Sequence, residues 1–425
     1  MTTAAKGTIL LYNPISGHGH LDSWNALFVE FLLEAGYRVA SLSPGAAELQ
    51  SRLLRKQLAQ HVNLQILEWR TPKRGLVERI RARLVRLFKQ TAPKRAVDTA
   101  EAEKLKRFEA SYLQPQEFAE RVADATKQLG HKPKFVFNMY MDLYRDDVIG
   151  WRPFSESQRI AWAGIRFVPS CVPPTEAYYH LSSLKGMCFL DEQIRQDYSA
   201  ALPQKCFEYL PDVTDVSVPT KPSAFATDIK RRAAGRKIVF LGGTISSNKN
   251  LSEWFKLIAL ANPAEWFFVQ LGEVHENNLS PEDSAAYHHA LQSKPEHLLI
   301  HAAYLPDERL FNEVIALSDV LFAVYRKFSI SSNMPGKAAA FEKPILVADG
   351  YLMASRVNKY QLGLAVQEDD ADQMLRALKH LVQPQAQRVV ARPEHFAAYR
   401  QDFSHAALKV KFFGFLEQAL ALAAH

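Results

Sequence analysis

The chain is poor in cysteine: Cys171, Cys188 and Cys206 are the three in 425 residues, with no close pair and no histidine cluster beside them at zinc-site spacing. Neither a disulfide framework nor a structural metal is indicated, and a reducing compartment fits best. Long apolar runs are lacking as well. The first apolar stretch, Thr8 to Tyr12, follows a single lysine and is broken by Asn13, Pro14 and Gly17, too short for a secretory signal core or a membrane-spanning helix. No short internal repeat and no low-complexity tract occurs. Acidic residues are the minority, 45 against 52 basic, for a formal net charge of +7. That excess favours an anionic partner without choosing among nucleic acid, an anionic lipid surface and a phosphorylated small molecule.

What is present is ordinary for a folded protein. Hydrophobic residues make up 48% and charged residues 23%, so the chain is expected to fold compactly. Its length exceeds one ordinary core and predicts two domains with a cleft between them. In the second half, strand-like runs recur at Lys237–Leu241, Trp266–Gln270, Leu298–His301, Val320–Val324 and Ile345–Ala348. Stretches of helical period such as Leu251–Ala261 and Glu308–Ser318 lie between them, the alternation of βαβ units. The first half repeats the plan more loosely, with strand candidates at 8–12, 38–42, 63–67, 134–138 and 164–168. The stretch 210–222 is rich in proline and turn residues without helical period and reads as a linker. A boundary near Pro219 follows, giving domains 1–218 and 219–390, with helices in 391–425 packing back towards the first. The expected fold class is α/β, two doubly wound Rossmann-like domains facing across a cleft. In such sheets ligands bind beyond the carboxyl ends of the strands.

Three strand-to-helix turns therefore stand out. Asn13 to His20 follows the first strand and holds Gly17, His18, Gly19 and His20 ahead of a helical pattern over Leu21–Glu34. A glycine-bearing turn at a helix start approaches an anion or a sugar closely. It is not a dinucleotide fingerprint: a third glycine is missing, and the second strand ends in Ser41-Leu-Ser-Pro44 without an acidic residue for a ribose. The alternative is a tight turn with two solvated histidines. The second turn, Gly242 to Asn250, brings Gly243 and Lys249 to a helix start and suits a diphosphate, although glycine, serine and asparagine are also common in plain turns. The third, Arg326 to Gly336, carries Ser331, Ser332 and Asn333 before a helix expected to begin near Pro335. Lys337 in its first turn opposes the helix dipole, a conflict that a bound anion would resolve; otherwise the side chain snorkels to water.

Taken together, Phe240–Leu251, Phe267–Gly272, Ala303–Leu305, Leu317–Val320 and Lys337–Val347 resemble in order and spacing the donor-binding half of GT-B glycosyltransferases (group 1, family 4-like). The resemblance covers roughly residues 236 to 383. It implies a glycosyltransferase using a nucleotide-diphosphate sugar, with no cofactor and no metal. Gly243 and Lys249 would meet the diphosphate, Tyr304 and Leu305 would lie near the base, and Ser331, Ser332, Asn333 and Lys337 would flank the phosphates and sugar. Two departures stand out. Many relatives carry a glutamate pair where this chain has Ser329 and Lys337, and an arginine where it has Thr244. The second glutamate ordinarily holds the donor ribose.

A transferase needs preorganised positive groups at the leaving diphosphate; on the resemblance these are Lys249, Lys337 and the helix start. An inverting reaction also needs an acceptor-side base, for which Asp142, just past a strand, comes first, followed by His18 and His20. Asp142 is equally well a turn residue. The stretch Lys73–Lys89 sets Leu76, Ile80, Leu84, Leu87 and Phe88 on one helical stripe among arginines. It packs either on the domain core or on an anionic lipid interface. A cytoplasmic protein is expected; in the latter case the acceptor is lipid-linked or membrane-delivered, as in cell-surface polysaccharide synthesis, and the protein is peripheral on the inner face of a membrane. The partners expected are a nucleotide-sugar donor and a saccharide or lipid-linked acceptor, not nucleic acid. The alternatives are a catalytically silent sugar-nucleotide-binding or scaffold protein, and a GT-B epimerase.

Overall fold

A computed structural model describes residues 6–17, 21–70, 113–144, 148–154, 160–170, 172–305, 307–385 and 389–424. Short runs that are apolar on both faces form buried parallel strands, and stretches with one apolar stripe form the helices that cover them. In the first sheet these are β1 (Thr8–Tyr12), β2 (Arg38–Leu42), β3 (Leu64–Leu67), β4 (Phe135–Asn138), β5 (Trp162–Arg166), β6 (Leu184–Phe189) and β7 (Cys206–Tyr209). Their order is β3-β2-β1-β4-β5-β6-β7, parallel throughout. The second sheet holds β8 (Lys237–Gly242), β9 (Trp266–Leu271), β10 (Leu298–His301), β11 (Val320–Ala323), β12 (Ile345–Ala348) and β13 (Gly363–Val366). It too is parallel, in the order β10-β9-β8-β11-β12-β13. Strand order reverses between β1 and β4 in one sheet and between β8 and β11 in the other. Each sheet is thus doubly wound, with a switch point where ligands of such folds bind.

Every strand expected from the sequence forms, with ends moved by up to two residues. β6, β7 and β13 were not anticipated. Two of them carry a glycine that the packing requires: a Cβ at Gly186 would stand 2.0 Å from the carbonyl oxygen of Cys206, and one at Gly363 would stand 1.8 Å from that of Ile345.

The chain divides into two compact units, Met1–Tyr209 with Lys411–His425, and Leu210–Val410. The second unit begins before Pro219 because the proline-rich segment is hydrogen-bonded into it. Asn312 Nδ2 donates to the carbonyls of Asp215 and Ser217 at 3.1 and 2.8 Å. The helix Pro393–Asp402 also belongs to the second unit, and of the helix His405–Ala424 the part from Lys411 onward belongs to the first.

In the first unit the core is aromatic: Tyr12, Phe118, Trp151, Phe154, Trp162 and Tyr178 are buried together. Trp151 and Trp162 stack at 5.6 Å, 6° from parallel, an arrangement worth about 0.5–1.5 kcal/mol beyond burial itself. In the second unit Trp254, on the helix Leu251–Leu260, packs on Phe268 of β9 and Phe322 of β11. That contact fixes the start of the helix over the switch point.

Candidate functional site

The turn after β8 is built by two glycines. Gly243 has φ +92° and Gly272, just past β9, has φ +139°; a Cβ on Gly272 would stand 2.1 Å from the Gly243 carbonyl oxygen. Main chain meets main chain there, which no side chain allows. The turn continues through a short helical turn over Ser247–Lys249 to Asn250, itself left-handed at φ +59°, and the helix Leu251–Leu260 begins.

Lys249 folds back into this turn. Its Nζ donates to the Gly242 carbonyl at 2.9 Å and sits 3.9 Å from the ring centre of Tyr325, in the turn after β11. The residue is 8% exposed. Burial pushes its ammonium down to about 7, because the charged form loses its hydration. None of the described residues gives it a carboxylate partner within ion-pair distance.

The turns after β8 and β11, adjacent strands, are stapled together. Asn250 Nδ2 donates to the carbonyls of Val324 and Glu368 at 3.3 and 2.6 Å, and Arg326 N donates to the Asn248 carbonyl at 2.9 Å. The Arg326 guanidinium reaches Ser252 Oγ at 2.6 Å and Asp283 Oδ2 at 3.2 Å. Asn250, Asp283, Tyr325 and Arg326 were not singled out from the sequence, although Tyr325 and Arg326 directly follow a predicted strand.

Lys337 behaves differently from expectation. It is fully buried, and its Nζ donates to the Asp215 carbonyl at 3.0 Å, to Asn312 Oδ1 at 2.6 Å and to the Glu308 carboxylate. Burial lowers its ammonium below the ordinary lysine range, and Glu308 opposes that shift. All three N–H groups are satisfied within the unit, so its charge clamps the segment around Asp215 to the helices Glu308–Leu317 and Met334–Ala340. The side chain does not snorkel to water.

The serines ahead of it are also tied down. Ser331 Oγ donates to Asp212 Oδ2 at 2.9 Å and accepts from Arg356 at 2.7 Å, and Ser332 Oγ accepts from Met334 N at 3.3 Å. Asn333 stands at the helix start without a side-chain cap bond. Tyr304 is 71% exposed on the loop after β10, with Leu305 half-buried beside it, two strands from β8. Thr244 and Ser329 are exposed on their turns.

In the first unit, Gly17 has φ +76°. Its N–H donates to Asp22 Oδ2 at 2.7 Å, while Ser16 Oγ donates to Asp22 Oδ1 at 2.9 Å, so Asp22 shapes the turn after β1. His18, Gly19 and His20 lie outside the described residues, as does the basic stretch 73–89. Asn13, at the end of β1, is fully buried with both side-chain amide atoms lacking a partner among the described residues.

Asp142 accepts from the main-chain N–H groups of Phe167 and Val168 at 3.0 and 2.6 Å, with Arg166 Nε at 4.0 Å. Both oxygens therefore anchor the turn after β5. Burial raises its carboxyl above the usual range, and the two amides and Arg166 oppose this. Arg166 also pairs with Glu176 and bonds the Tyr178 hydroxyl. Of this cluster Asp142 was singled out in the sequence; Arg166, inside the expected strand 164–168, and Glu176, before a tyrosine pair, carry no distinctive spacing.

Comparison with known proteins adds the architecture. A glycosyltransferase from Rickettsia africae ESF-5 superposes with a TM-score of 0.65 at 12% identity, over 98% of this chain and 99% of the other. The fold is that of GT-B glycosyltransferases. Anabaena HepE, solved in complex with UDP and glucose, gives a TM-score of 0.64 at 9% identity over 96% and 99% of the two chains. The sucrose-phosphate synthase of Thermosynechococcus elongatus gives 0.61 at 14% over 98% and 100%. No protein-family model matches the sequence, and no curated protein matches it by sequence. Among the described residues no group of histidine, cysteine or carboxylate side chains could hold a metal ion, and no helix is long and apolar enough to cross a membrane.

Proposed function

We propose that the chain is a glycosyltransferase that takes a sugar from a nucleotide-diphosphate donor held by the second unit. One observation carries the proposal: Lys249 is a buried lysine with no carboxylate partner among the described residues, set in a glycine-built turn at the switch point of the second sheet. A diphosphate supplies the missing negative charge, and the same charge grows as the bond from the sugar to the leaving diphosphate breaks. HepE, a structural neighbour, was solved with UDP and glucose, in keeping with a nucleotide-sugar donor here. On this reading Gly243 lets the phosphates approach the main chain, while Tyr304 and Leu305 flank the base and Ser331 to Asn333 the sugar.

The acceptor falls to the first unit. A saccharide or lipid-linked acceptor, as in cell-surface polysaccharide synthesis, fits an excess of basic residues that includes the stretch 73–89; with it goes a cytoplasmic place at the inner membrane face. Of the three base candidates, the double amide anchoring of Asp142 favours His18 or His20 for proton removal. Charge neutralisation by Lys249 and main-chain N–H groups predicts transfer that survives EDTA.

The ligand-independent clamp at Lys337 favours a second reading, a protein that binds sugar nucleotide and transfers nothing. The test is a thermal-shift panel of nucleoside diphosphates and their sugars, with Lys249→Ala beside the wild type, followed by donor hydrolysis and transfer assays. A selective shift lost in the variant supports the donor site. Binding with neither transfer nor hydrolysis sinks the enzymatic reading, and no shift with any nucleotide sinks both.

A further inference from the structure

The second unit carries a cleft at the opposite edge of its sheet, unrelated to the turns described above. It has a volume of about 630 Å³ and lies at the amino-terminal ends of β8 and β9, lined by Arg236, Lys237, Glu265, Trp266, Lys379 and Val382 among others. The volume falls within the range of small-molecule sites, about 300–1,000 Å³. The six residues of β8 separate it from the turn of Gly243 and Lys249 by roughly 16 Å at 3.3 Å per residue.

Its charge is unbalanced. Arg236 donates to the main-chain carbonyls of Ala233 at 2.9 Å, Pro263 at 3.1 Å and Arg232 at 2.5 Å. These neutral acceptors engage three of the five guanidinium N–H groups; the guanidinium also lies 5.0 Å from the Phe267 ring centre, and no carboxylate pairs with it among the described residues. Lys379 is exposed near the end of the helix Ala371–Leu381 and has neither hydrogen bond nor ion pair among the described residues. Lys237 pairs with Asp319 at 3.0 Å, outside the lining, and Glu265 accepts from Asn262 Nδ2 at 2.8 Å. With Lys237 paired to Asp319, two cations, Arg236 and Lys379, face one carboxylate, Glu265. Close by, half-buried Lys343 feels both Lys237 and Asp319, and burial holds its ammonium below the ordinary range.

The apolar part of the lining is Ala234, Ala264 and Val382, over Trp266, which is itself buried at 2% exposed. Cations beside a small apolar surface match a ligand with an anionic head and an apolar body.

We propose that this cleft is a second ligand site, taking a small soluble phosphate monoester whose phosphate is held by Arg236 and Lys379 and whose body lies against Ala264 and Val382. Lys237, already paired, steers the anion rather than gripping it. Such a ligand reaches the unit from the side opposite the proposed donor turn, and its binding is independent of Lys249.

The experiment is calorimetric titration of the full chain with phenyl phosphate and inorganic phosphate, benzyl alcohol serving as the uncharged control. Phenyl phosphate is expected to bind more tightly than inorganic phosphate, and benzyl alcohol not at all. Lys379→Glu, a change on an exposed helical position, is expected to weaken phenyl phosphate about tenfold, the effect of losing one charge-assisted hydrogen bond; Arg236→Gln is expected to act in the same direction. Binding unchanged in Lys379→Glu, or no binding of phenyl phosphate to the wild type, overturns the proposal. So does co-sedimentation with phosphatidic acid vesicles, lost in Lys379→Glu, without calorimetric binding of phenyl phosphate, because the surface would then recognise a lipid headgroup at a membrane.

Discussion

Two buried lysines lie on adjoining parts of the second unit, and their surroundings could hardly differ more. Lys337 finds a carboxylate, a side-chain amide and a main-chain carbonyl, one acceptor for each N–H group. Lys249 finds one carbonyl and the face of a tyrosine ring. A buried charge with its complement costs little and tells only of structure, whereas one without it weakens the fold until something else arrives. The first lysine has an acceptor for each N–H group; the second, among the described residues, has no carboxylate. Lysine at a helix start, opposing the dipole, does not separate the two cases; what lies across the packing does.

The contrast breaks most directly at Lys249. Lys249→Met is expected to reduce affinity for nucleoside diphosphates by about 2–3 kcal/mol, as for a lost hydrogen bond to a charged group. The melting temperature of the unliganded protein should stay level or rise, since an uncompensated buried amine is gone; a clear drop in both quantities would mean that Lys249 is structural. The mirror variant, Lys337→Met, should lower unfolding free energy by about 2 kcal/mol, read from denaturant titration. Asp215 and Asn312 lose a donor while half-exposed Glu308 rehydrates. Nucleotide affinity should change little, and a change matching that of Lys249→Met would erase the distinction.

Acidity sharpens it further. With the folded value for Lys249 near 7 and an unfolded value of about 10.4, the unfolded chain holds more protons between these limits. The unliganded protein should therefore gain stability from this group as pH rises through that window. Donor binding needs the ammonium, so affinity should fall as pH climbs above 7, by up to about tenfold per unit. Calorimetry at pH 8 in buffers of different ionisation heat should register proton uptake on binding, absent in Lys249→Met. The smallest effect concerns Asp142: Asp142→Asn should cost about 1 kcal/mol by weakening the anchor on the turn after β5. A fall in transfer rate of about a hundredfold or more with stability kept would restore Asp142 as the general base.

Much of the architecture is legible in the sequence because parallel strands buried on both faces are written as unbroken apolar runs. Phe267 and Phe268 beside Trp266, or Val320 to Ala323, admit hardly any other reading. Two of the three strands that escaped, β6 and β13, carry glycine where a neighbouring backbone presses close, and glycine reads as a turn until the partner strand is known. The turn after β8 was legible for the same reason that Gly186 misled: glycine after an apolar run marks a tight approach, and only the three-dimensional neighbour says whether a ligand or another strand makes it. The role of Lys337 could not be read, since it depends on Asp215 and Glu308, more than a hundred residues apart in one case and across a helix pair in the other. The partners of Asp142 were hidden likewise, since Arg166 lies at the end of β5 and Glu176 in the segment that follows it.

The first unit is closed by the far end of the chain. Phe412 meets Phe28 at 4.4 Å and Phe137 at 5.3 Å, and Lys411 pairs with Glu208 at 3.2 Å, so the unit's core is incomplete until residues beyond 410 exist. The second unit, by contrast, is one continuous run. During synthesis it is the later-made half that can finish first, while the earlier half waits with Phe28 and Phe137 uncovered for a helix still on the ribosome.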